Sequence, residues 1–308
     1  MFDYPHLEVL IAVEREGSLE RAAQSLQVTK SALSQTLRLL EERKGAVVLN
    51  RTTMKPTPFG ARLCRHYEEV SVLEQTFFEE HVDLFDLADV QIVPLGIGVT
   101  DDALISWMTD RISECVAHRP NVLIDTVLMS EAEIRAALAE HRLSGALTTM
   151  AEPLKGFQSR HIGTHSLHAV ASPGFIRHHF SEGITEETLK HAPLLRYSTD
   201  DPELLAWVKN CVHTDKLPTA QMLPSAHGIA NACLDGAGWG MCSNLLIEKA
   251  LSDSTLVELV SGSGIAQDLH WHLAATLEDV LSPVTAALQH GGAHGFGQPP
   301  DISLAPDE

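Results

Sequence analysis

Two closely spaced helical patterns of apolar residues stand out near the N-terminus. In the first, apolar residues recur at helical spacing across 19–26, and Ser18 precedes them as an N-cap. The turn that follows is too short for a hairpin of strands, and a second helical pattern runs on to a natural stop at Gly45. Small Ala23 lets the two helices cross closely, and Leu33 is placed to pack between them. This arrangement predicts a DNA-binding helix-turn-helix.

The first turns of the second helix carry polar and basic side chains that suit DNA. Such side chains can hydrogen-bond base edges or phosphates, and the N-terminus of a helix itself favours phosphate. The candidate DNA-binding residues of this helix are Thr29, Lys30, Ser31, Ser34, Gln35 and Arg38. Either Thr29 or Ser31 can also serve as the N-cap. The alternative is an ordinary amphipathic helix pair whose polar face contacts only water.

The flanking segments fit a winged domain. The pattern over 3–15 predicts an amphipathic helix that packs behind the helix pair. After Gly45, the apolar run 47–49 predicts a short strand, and 50–55 predicts a turn. Strand and turn together would form a wing beside the second helix.

A long helix is predicted next. Thr57 caps it, Pro58 occupies its first position, and the helical pattern continues to about residue 87. Its apolar stripe follows heptad spacing and consists of Phe59, Leu63, His66, Val70, Leu73 and Phe77. Such a stripe is often ordinary core, but no neighbouring segment up to residue 90 is left to cover it. We therefore expect a second copy of the chain to cover this stripe.

Beyond residue 90, strand-like and helical segments alternate, which predicts an α/β fold with parallel sheets covered by helices. Helices are expected at 103–118, 131–141 and 204–212. Strands are expected at 92–99, 122–129, 146–150, 167–171, 193–197, 220–223, 238–242, 256–260 and 269–276. The Gly- and Pro-rich end of the chain, 291–308, is expected to be disordered.

Charge separates the two parts of the chain. The 308 residues carry a net charge of −19, yet residues 1–65 hold three Lys and seven Arg against seven acidic residues. The head therefore has a net charge of +3 and the remainder −22. A basic head suits a DNA reader. The strongly acidic remainder of the chain argues against a non-specific architectural DNA-binding protein, because non-specific DNA binding depends on basic charge.

The sequence lacks the motifs of other function classes. It has no phosphate loop, GxSxG, HExxH or Rossmann fingerprint, so we predict no enzyme and no cofactor. None of its 17 histidines has structural zinc spacing, so no metal site is predicted. The five cysteines lack CxxC spacing and indicate reduced thiols, with a redox switch as the alternative. With no signal peptide and no apolar run of about 18 residues, we expect a cytoplasmic protein without membrane contact.

The N-terminal motifs resemble those of one family. The run ERAAQSLQVTKSALSQTLRLLEERKGAVVLNRT is similar over its whole length to the winged helix-turn-helix of LysR-type transcriptional regulators. Within that family, FDYPHLEVLIAVEREGSLERAAQSL and LNRTTMKPTPFG are most similar to the arginine/lysine-export regulators, the ArgP/LysG group. A weaker match continues to about residue 290 and includes GWGM at 238–241 and WH at 271–272.

The resemblance implies an α/β protein in three parts: a winged helix-turn-helix, a long linker helix, and a two-lobed effector domain like the periplasmic binding proteins. Their expected bounds are 1–57, 58–88 and 89–290. Lobe 1 of the effector domain would comprise about 91–165 and 266–288, and lobe 2 about 166–265.

The resemblance also implies the partners. The linker helices would join a homodimer, and the effector domains would join dimers into a homotetramer on double-stranded promoter DNA. RNA polymerase is a further partner that the resemblance allows. The basic wing residues Arg51 and Lys55 would lie near the DNA backbone or in the minor groove. The alternative is that the wing is only a solvated turn.

In open parallel sheets, ligands bind beyond the carboxyl ends of the strands and near helix N-termini. Carboxylates there suit a cationic ligand, while hydroxyls and helix amides suit its own carboxylate. The candidate effector-binding residues are Thr100, Asp101, Asp102, Thr148, Asp200, Asp201 and Ser225. For each of them the alternative is a plain N-cap.

By resemblance the effector is a small molecule, lysine or arginine, that controls an exporter gene. The alternative is a regulator of the same family that responds to a different small metabolite. It rests on departures from the arginine/lysine group, such as Ala226 and His227 in place of a Ser-Glu pair.

Overall fold

The computed structural model describes residues 3–80, 93–100, 108, 122–199 and 201–293. Its N-terminal part consists of helices and a small two-stranded wing. Helices α1 to α3 span Tyr4–Glu16, Leu19–Ser25 and Lys30–Lys44, strands β1 and β2 span Leu49–Asn50 and Lys55–Pro56, and α4 spans Pro58–Glu80. The strands β1 and β2 pair antiparallel, which forms the wing that was expected.

The caps of the helix-turn-helix form as predicted. At the start of α2, Ser18 Oγ accepts a hydrogen bond from the Arg21 amide. At the start of α3, Thr29 Oγ1 accepts one from the Ala32 amide. Gly45 ends α3 with a φ of 65°, a left-handed conformation that glycine adopts without strain.

The N-terminal core lies between the first three helices, the wing and the start of α4. Ala23 and Leu33 are both buried in this core, as the helix-crossing pattern predicted. Burying one leucine side chain stabilises a fold by about 2 kcal/mol, so these few residues hold the head together. The other apolar members are Leu7, Val9, Leu10, Ile11, Ala12, Val13, Ala22, Leu37, Leu40, Val48, Leu49, Leu63 and Cys64.

Helix α4 starts at its expected cap, where Thr57 Oγ1 accepts a hydrogen bond from the Gly60 amide. The expectation that no segment of the same chain covers its apolar stripe was wrong for the first half. Leu63 is buried in the N-terminal core, because α1 packs against α4. Phe59, in the first turn, is 36% exposed, and Leu73 and Phe77 in the second half are more open, at 45% and 51%. The last turns predicted for α4 lie outside the described residues.

A buried arginine joins α4 to the effector part of the chain. Arg65 Nη1 donates a hydrogen bond to Ser144 Oγ at 2.5 Å, and both residues are buried. Arg65 Nε also donates to a Glu69 carboxylate oxygen at 3.0 Å. Farther along the helix, Val72 packs into an apolar cluster of the effector part. Helix α4 is therefore packed against both parts of the chain.

The effector part contains one mixed sheet flanked by helices. Strands β3 to β11 span Val93–Val99, Val122–Leu128, Gly145–Thr148, Phe157–Ala171, Leu194–Arg196, Ala220–Met222, Trp239–Ser243, Val257–Glu258 and Ile265–Ala274. Their order across the sheet is β4-β3-β5-β11-β6-β9-β7-β8, with β10 beside β6. Helices α5 to α11 span Glu131–Ala139, Pro173–His179, Glu186–His191, Pro202–Val212, Ala226–Leu234, Asn244–Ser252 and Glu278–Ala293.

The expected parallel pairing is found on the two sides of the sheet, but two long antiparallel strands run through the middle. The strands β3, β4 and β5 pair in parallel, and so do β7, β8 and β9. Between these two sets, β6 pairs antiparallel with β11. The predicted strand 167–171 is only the last third of β6. Polar residues dominate 158–168, so this stretch lacks the alternation of apolar and polar residues that would have revealed the rest of the strand.

Apolar clusters lie at both ends of the sheet, on either side of the β6/β11 pair. One surrounds Trp271 and includes side chains of β3, β5, α5 and α11. Two others lie toward β7 and β9, around Trp207 and around Ile229. This is the two-lobed α/β architecture that the resemblance implied.

Two of the three helices predicted in the effector part are found, and the third falls mostly outside the described residues. The helices expected at 131–141 and 204–212 are α5 and α8. The helix expected at 103–118 falls on residues that the structure, apart from position 108, does not describe. Helix α11 ends at Ala293, inside the segment 291–308 that was expected to be disordered, and the rest of that segment is outside the described residues.

Gly60 leaves no room for a side chain between α4 and the wing. A Cβ at this position would lie 1.9 Å from the carbonyl oxygen of Val48, which is backbone and cannot rotate away. We predict that Gly60→Ala lowers the free energy of unfolding in urea by about 2 kcal/mol or more, as overpacking does. Gly174→Ala is the control, because the nearest atom to its Cβ would be 3.9 Å away. Unfolding curves that coincide for the two variants would contradict this prediction.

Glu68, on α4, is predicted to make stability depend on pH. Burial, opposed by nearby Arg65, raises the pKa of Glu68 from 4.5 to about 7. The folded protein binds this proton more tightly than the unfolded chain does. The stability that protonated Glu68 contributes to the fold is therefore lost as pH rises through its folded-state pKa. We predict that Glu68→Gln raises the Tm more at pH 7.5 than at pH 5. The same substitution at exposed Glu182 should raise it at neither pH, and a Glu68→Gln effect that is equal at both would refute the assignment.

Candidate DNA interface and effector site

The outer face of α3 presents the residues that were expected to contact DNA. Ser34 is half-buried, and the exposed members are Thr29, Lys30, Ser31, Gln35 and Arg38. Thr29 Oγ1 caps the helix and also lies 3.0 Å from Ser31 Oγ, so both candidate caps belong to one hydrogen-bonded helix start. Hydroxyl, amide and cationic groups therefore lie together on the first turns of a helix whose N-terminal residues are exposed.

Three basic side chains of this surface have acidic partners within the head. The hydrogen bond from Lys30 lowers the pKa of Glu20 and keeps that carboxylate ionised. Where both partners are exposed, as for Lys30 with Glu20 and Arg38 with Glu42, a pair contributes at most about 1 kcal/mol, so a phosphate can take the place of the carboxylate at little cost. The three pairs are Lys30 with Glu20, Arg38 with Glu42 at 2.8 Å, and Arg51 with Glu41 at 3.0 Å.

The wing turn is held by a single asparagine. Asn50 Oδ1 accepts hydrogen bonds from the amides of Thr52 and Thr53 at 2.9 and 3.2 Å. This turn places Arg51 just after β1 and Lys55 at the start of β2, and both side chains are exposed. The two basic wing candidates therefore stand at opposite ends of one tight turn, beside α3.

Sequence reasoning missed a carboxylate that joins α3 to the wing. Glu41 Oε1 accepts a hydrogen bond from the Val48 amide at 3.1 Å, and its Oε2 accepts one from Arg51 Nη2 at 3.0 Å. In the sequence, Glu41 and Glu42 are adjacent acids near the end of the same helix, and no pattern distinguishes them. Only the folded structure, in which the wing passes beside α3, shows that Glu41 rather than Glu42 bonds to another element.

In lobe 1, two effector candidates lie at the same edge of the sheet. Thr148 ends β5 and is buried, and Thr100 directly follows β3, the parallel neighbour of β5. Glu131, the first residue of α5, binds this edge: its carboxylate accepts hydrogen bonds from the Thr149 amide at 2.8 Å and from the Thr148 hydroxyl. Glu131 was missed because an acid in the first turn of a helix is ordinary.

In lobe 2, the candidates Asp201 and Ser225 follow β7 and β8, which are parallel neighbours. Asp201 Oδ1 accepts a hydrogen bond from the Leu204 amide at 2.9 Å, and Ser225 Oγ accepts one from the Gly228 amide at 3.1 Å. Both residues are N-caps, as their alternative reading stated. A capping oxygen keeps a second lone pair, so capping and ligand contact are compatible. The remaining candidates, Asp101, Asp102 and Asp200, lie outside the described residues.

Where the two lobes meet, β6 and β11 place polar side chains beside Thr148. His270 lies opposite both Thr148 and His161 in the sheet, and the two imidazole rings are 5.3 Å apart. The hydroxyl of Thr164 donates to Asp268 Oδ1 at 2.5 Å and lowers the pKa of that carboxylate, while burial lowers the pKa of His270. Within the described ranges, no three His, Cys, Asp or Glu side chains are placed to hold a metal ion.

Comparison with known proteins decides the family. Residues 5–61 match the bacterial regulatory helix-turn-helix protein of the lysR family, and residues 94–289 match the LysR substrate binding domain. The chain belongs to the LysR family. It is therefore a DNA-binding transcription regulator with an effector-binding domain.

Relatives in the LysR family align over nearly the whole chain. "HTH-type transcriptional regulator ArgP" of Pseudomonas fluorescens (strain Pf0-1) is 31% identical over 88% of this chain and 91% of that protein. ArgP of Pseudomonas aeruginosa (strain UCBPP-PA14) is 30% identical over 94% of this chain and 95% of that protein. These names agree with the ArgP/LysG group that the N-terminal motifs resemble.

Solved LysR-family structures share the fold. ArgP from Mycobacterium tuberculosis is 26% identical with a TM-score of 0.80, covering 95% of this chain and 98% of that one. LysG from Corynebacterium glutamicum, with bound effector Arg, is 24% identical with a TM-score of 0.72, covering 97% of this chain and 100% of that one. No helix in the described part of this chain is long and apolar enough to cross a bilayer.

The surface of α3 predicts which substitutions impair DNA binding by this LysR-family protein. Gln35→Ala and Arg38→Ala should each weaken binding to a duplex selected by the protein from a random pool by about tenfold or more, because base-contacting side chains have effects of that size. The double variant should lose specific binding. Fluorescence anisotropy measures the affinity, and size-exclusion chromatography checks that the oligomer is intact.

A matched control is available in the effector part. Arg142 is an exposed arginine that pairs with Glu140 at 2.8 Å, much as Arg38 pairs with Glu42. Arg142→Ala should leave DNA binding unchanged. Normal binding by both α3 variants would show that this helix is not the one that reads DNA.

Proposed function

We propose that this LysR-family regulator reads its operator with α3 in the major groove and with the wing beside it. The observation that carries this assignment is the capped start of α3, where hydroxyl, amide and basic side chains are exposed together. Gln35 and Arg38 would contact base edges, while the other α3 candidates would contact phosphates. Arg51 and Lys55, at the two ends of the wing turn, would contact the DNA backbone or the minor groove.

The same proposal includes a homodimer formed through α4. Its second half exposes Leu73 and Phe77, which belong to one heptad stripe and gain from burial against a second copy. Such a dimer carries two heads, and two recognition helices suit half-sites spaced by about 34 Å or a multiple of it. Effector domains would then join two dimers into a tetramer, and RNA polymerase would be the partner that responds at the promoter.

We further propose that the effector is a basic amino acid bound where the two lobes meet. The carboxylates of Glu131 and Asp268 suit a cationic side chain, while hydroxyls and the capped N-termini after β7 and β8 suit an α-carboxylate. The wall would be formed by Thr100, Thr148, Asp201 and Ser225, and Asp101, Asp102 and Asp200, their neighbours in the sequence, remain candidates. The names of the ArgP relatives support this ligand class.

The proposed mechanism needs binding alone and no catalysis. A ligand that contacts both lobes favours the conformation in which those contacts are made together. The change in lobe angle would alter the spacing of the two heads on DNA and so the access of RNA polymerase to the promoter. We place the protein in the cytoplasm, where promoter DNA lies.

The second candidate is a LysR-family regulator of a different small metabolite. The observation that favours it is the start of α9, where Ala226 and His227 stand in place of the Ser-Glu pair typical of the arginine/lysine group. Loss of a carboxylate from a polar pocket changes which ligands are accepted, because an unpaired charge there is costly.

A thermal-shift screen tests the effector class. Arginine is the first probe because it is the effector in the LysG structure, followed by lysine, neutral amino acids and small carboxylates. A ligand at a hundred times its Kd stabilises the folded protein by about 2.7 kcal/mol, which is a measurable rise in Tm. We predict a rise with arginine or lysine that Glu131→Gln abolishes.

Glu133→Gln on the same helix is the matched control. Glu133 takes part in the capping box with Ser130, which glutamine can also form, and does not contact Thr148 or Thr149 in the hydrogen bonds found. Its variant should keep the rise in Tm. A rise with another compound and none with either basic amino acid would favour the second candidate and contradict the first.

A further inference from the structure

The contact between Glu41 and the wing indicates a function for an acidic residue in a DNA-binding surface. We propose that Glu41 is a positioning residue that fixes the direction of Arg51, and that it contributes to DNA sequence specificity without touching DNA. The proposal rests on Arg51 being a DNA-contacting residue of the wing.

Both oxygens of the Glu41 carboxylate are engaged. One accepts the Val48 amide hydrogen at 3.1 Å, just before β1 begins, and the other accepts from Arg51 Nη2 at 3.0 Å, just after β1 ends. The Glu41 side chain is only 19% exposed. Its backbone is also fixed, because the Glu41 carbonyl oxygen accepts the Gly45 amide hydrogen at the end of α3. The guanidinium of Arg51 is thereby tied to the recognition helix.

The neighbouring acid Glu42 lacks this geometry. It is 56% exposed and pairs with Arg38, one turn earlier on the same helix, so the pair does not join two elements. Glu41 and Glu42 thus carry the same charge at adjacent positions of one helix, but only Glu41 holds the wing. This difference makes Glu42 a close control for charge.

An acid beside a DNA-binding surface has a cost that needs a compensating benefit. Its charge repels phosphate and weakens sequence-independent binding. The benefit we infer is pre-organisation, since a long arginine side chain that is already directed loses less conformational freedom when it enters a groove. A directed arginine also discriminates better between wide and narrow minor grooves, which is a form of sequence recognition.

Charge alone and positioning predict opposite signs for Glu41→Gln. Glutamine keeps an acceptor for the Val48 amide but loses the ionic bond to Arg51. If charge alone mattered, binding to every duplex would tighten. We predict instead that binding to a duplex selected by the parent protein from a random pool weakens about fivefold, as expected when a flexible arginine is released. Binding to a shuffled duplex of the same composition should be unchanged or tighter.

The experiment measures both affinities for the full-length protein at one salt concentration, together with the Tm. Glu42→Gln should not lower the ratio of specific to shuffled binding. The double variant Glu41→Gln/Arg51→Ala should bind the selected duplex no more weakly than Arg51→Ala alone, because Glu41 acts through Arg51. An unchanged Tm for Glu41→Gln separates this effect from simple unfolding of the wing.

Two results would overturn the proposal. The first is a Glu41→Gln variant that binds the selected duplex as tightly as the parent or more tightly. The second is a loss of affinity that adds fully to that of Arg51→Ala, because Glu41 would then act independently of Arg51. If Arg51→Ala itself binds the selected duplex normally, Arg51 does not contact DNA. The wing contact in the proposed function then fails, and the role of Glu41 fails with it, in a way that the two results above do not produce.

Discussion

The antiparallel pairing of β6 and β11 is the constraint on which the effector part depends. The chain leaves lobe 1 along β6, builds lobe 2, and returns along β11, so the two strands are shared by both lobes. The return strand is anchored in lobe 1 by Trp271, which is fully buried and donates a hydrogen bond from Nε1 to Thr285 Oγ1 at 3.0 Å. The candidate effector residues that the structure describes follow or end strands on the two sides of this pair, so a relative motion of the lobes would bend or twist it.

The DNA-binding head depends on weak interactions of a different kind. Its core is a small apolar cluster, but its outer surface is a set of exposed ion pairs that water and salt screen. Such exposed pairs contribute little and exchange readily for contacts with phosphate. The acidic remainder of the chain adds selectivity, because a net charge of −22 away from the head disfavours attachment to DNA in any other orientation.

The parts that sequence could predict are those with local determinants. The caps Ser18 and Thr29 and the stop Gly45 act within a few residues, so the helix-turn-helix and the exposed face of α3 followed directly. Bonds between distant residues left no local pattern. Glu41 meets Arg51 ten positions away, and Glu131 meets Thr149 across eighteen. The polar stretch of β6 was missed for the same reason, because its partner β11 lies about a hundred residues later and no apolar alternation marks it.

The bond between Arg65 and Ser144 joins residues that are 79 positions apart and ties α4 to lobe 1. Ser144 directly precedes β5, and Thr148 lies at the far end of the same strand. Because α4 is packed into the head at Leu63 and into lobe 1 at Val72, we expect the head, α4 and lobe 1 to move as one unit. In the proposed dimer, lobe 2 would move relative to this unit, and the exposed Leu73 and Phe77 of α4 would contact the second copy. Under the proposed mechanism, ligand binding would then act on the contact between two α4 helices, and through that contact on the DNA that α3 is proposed to read.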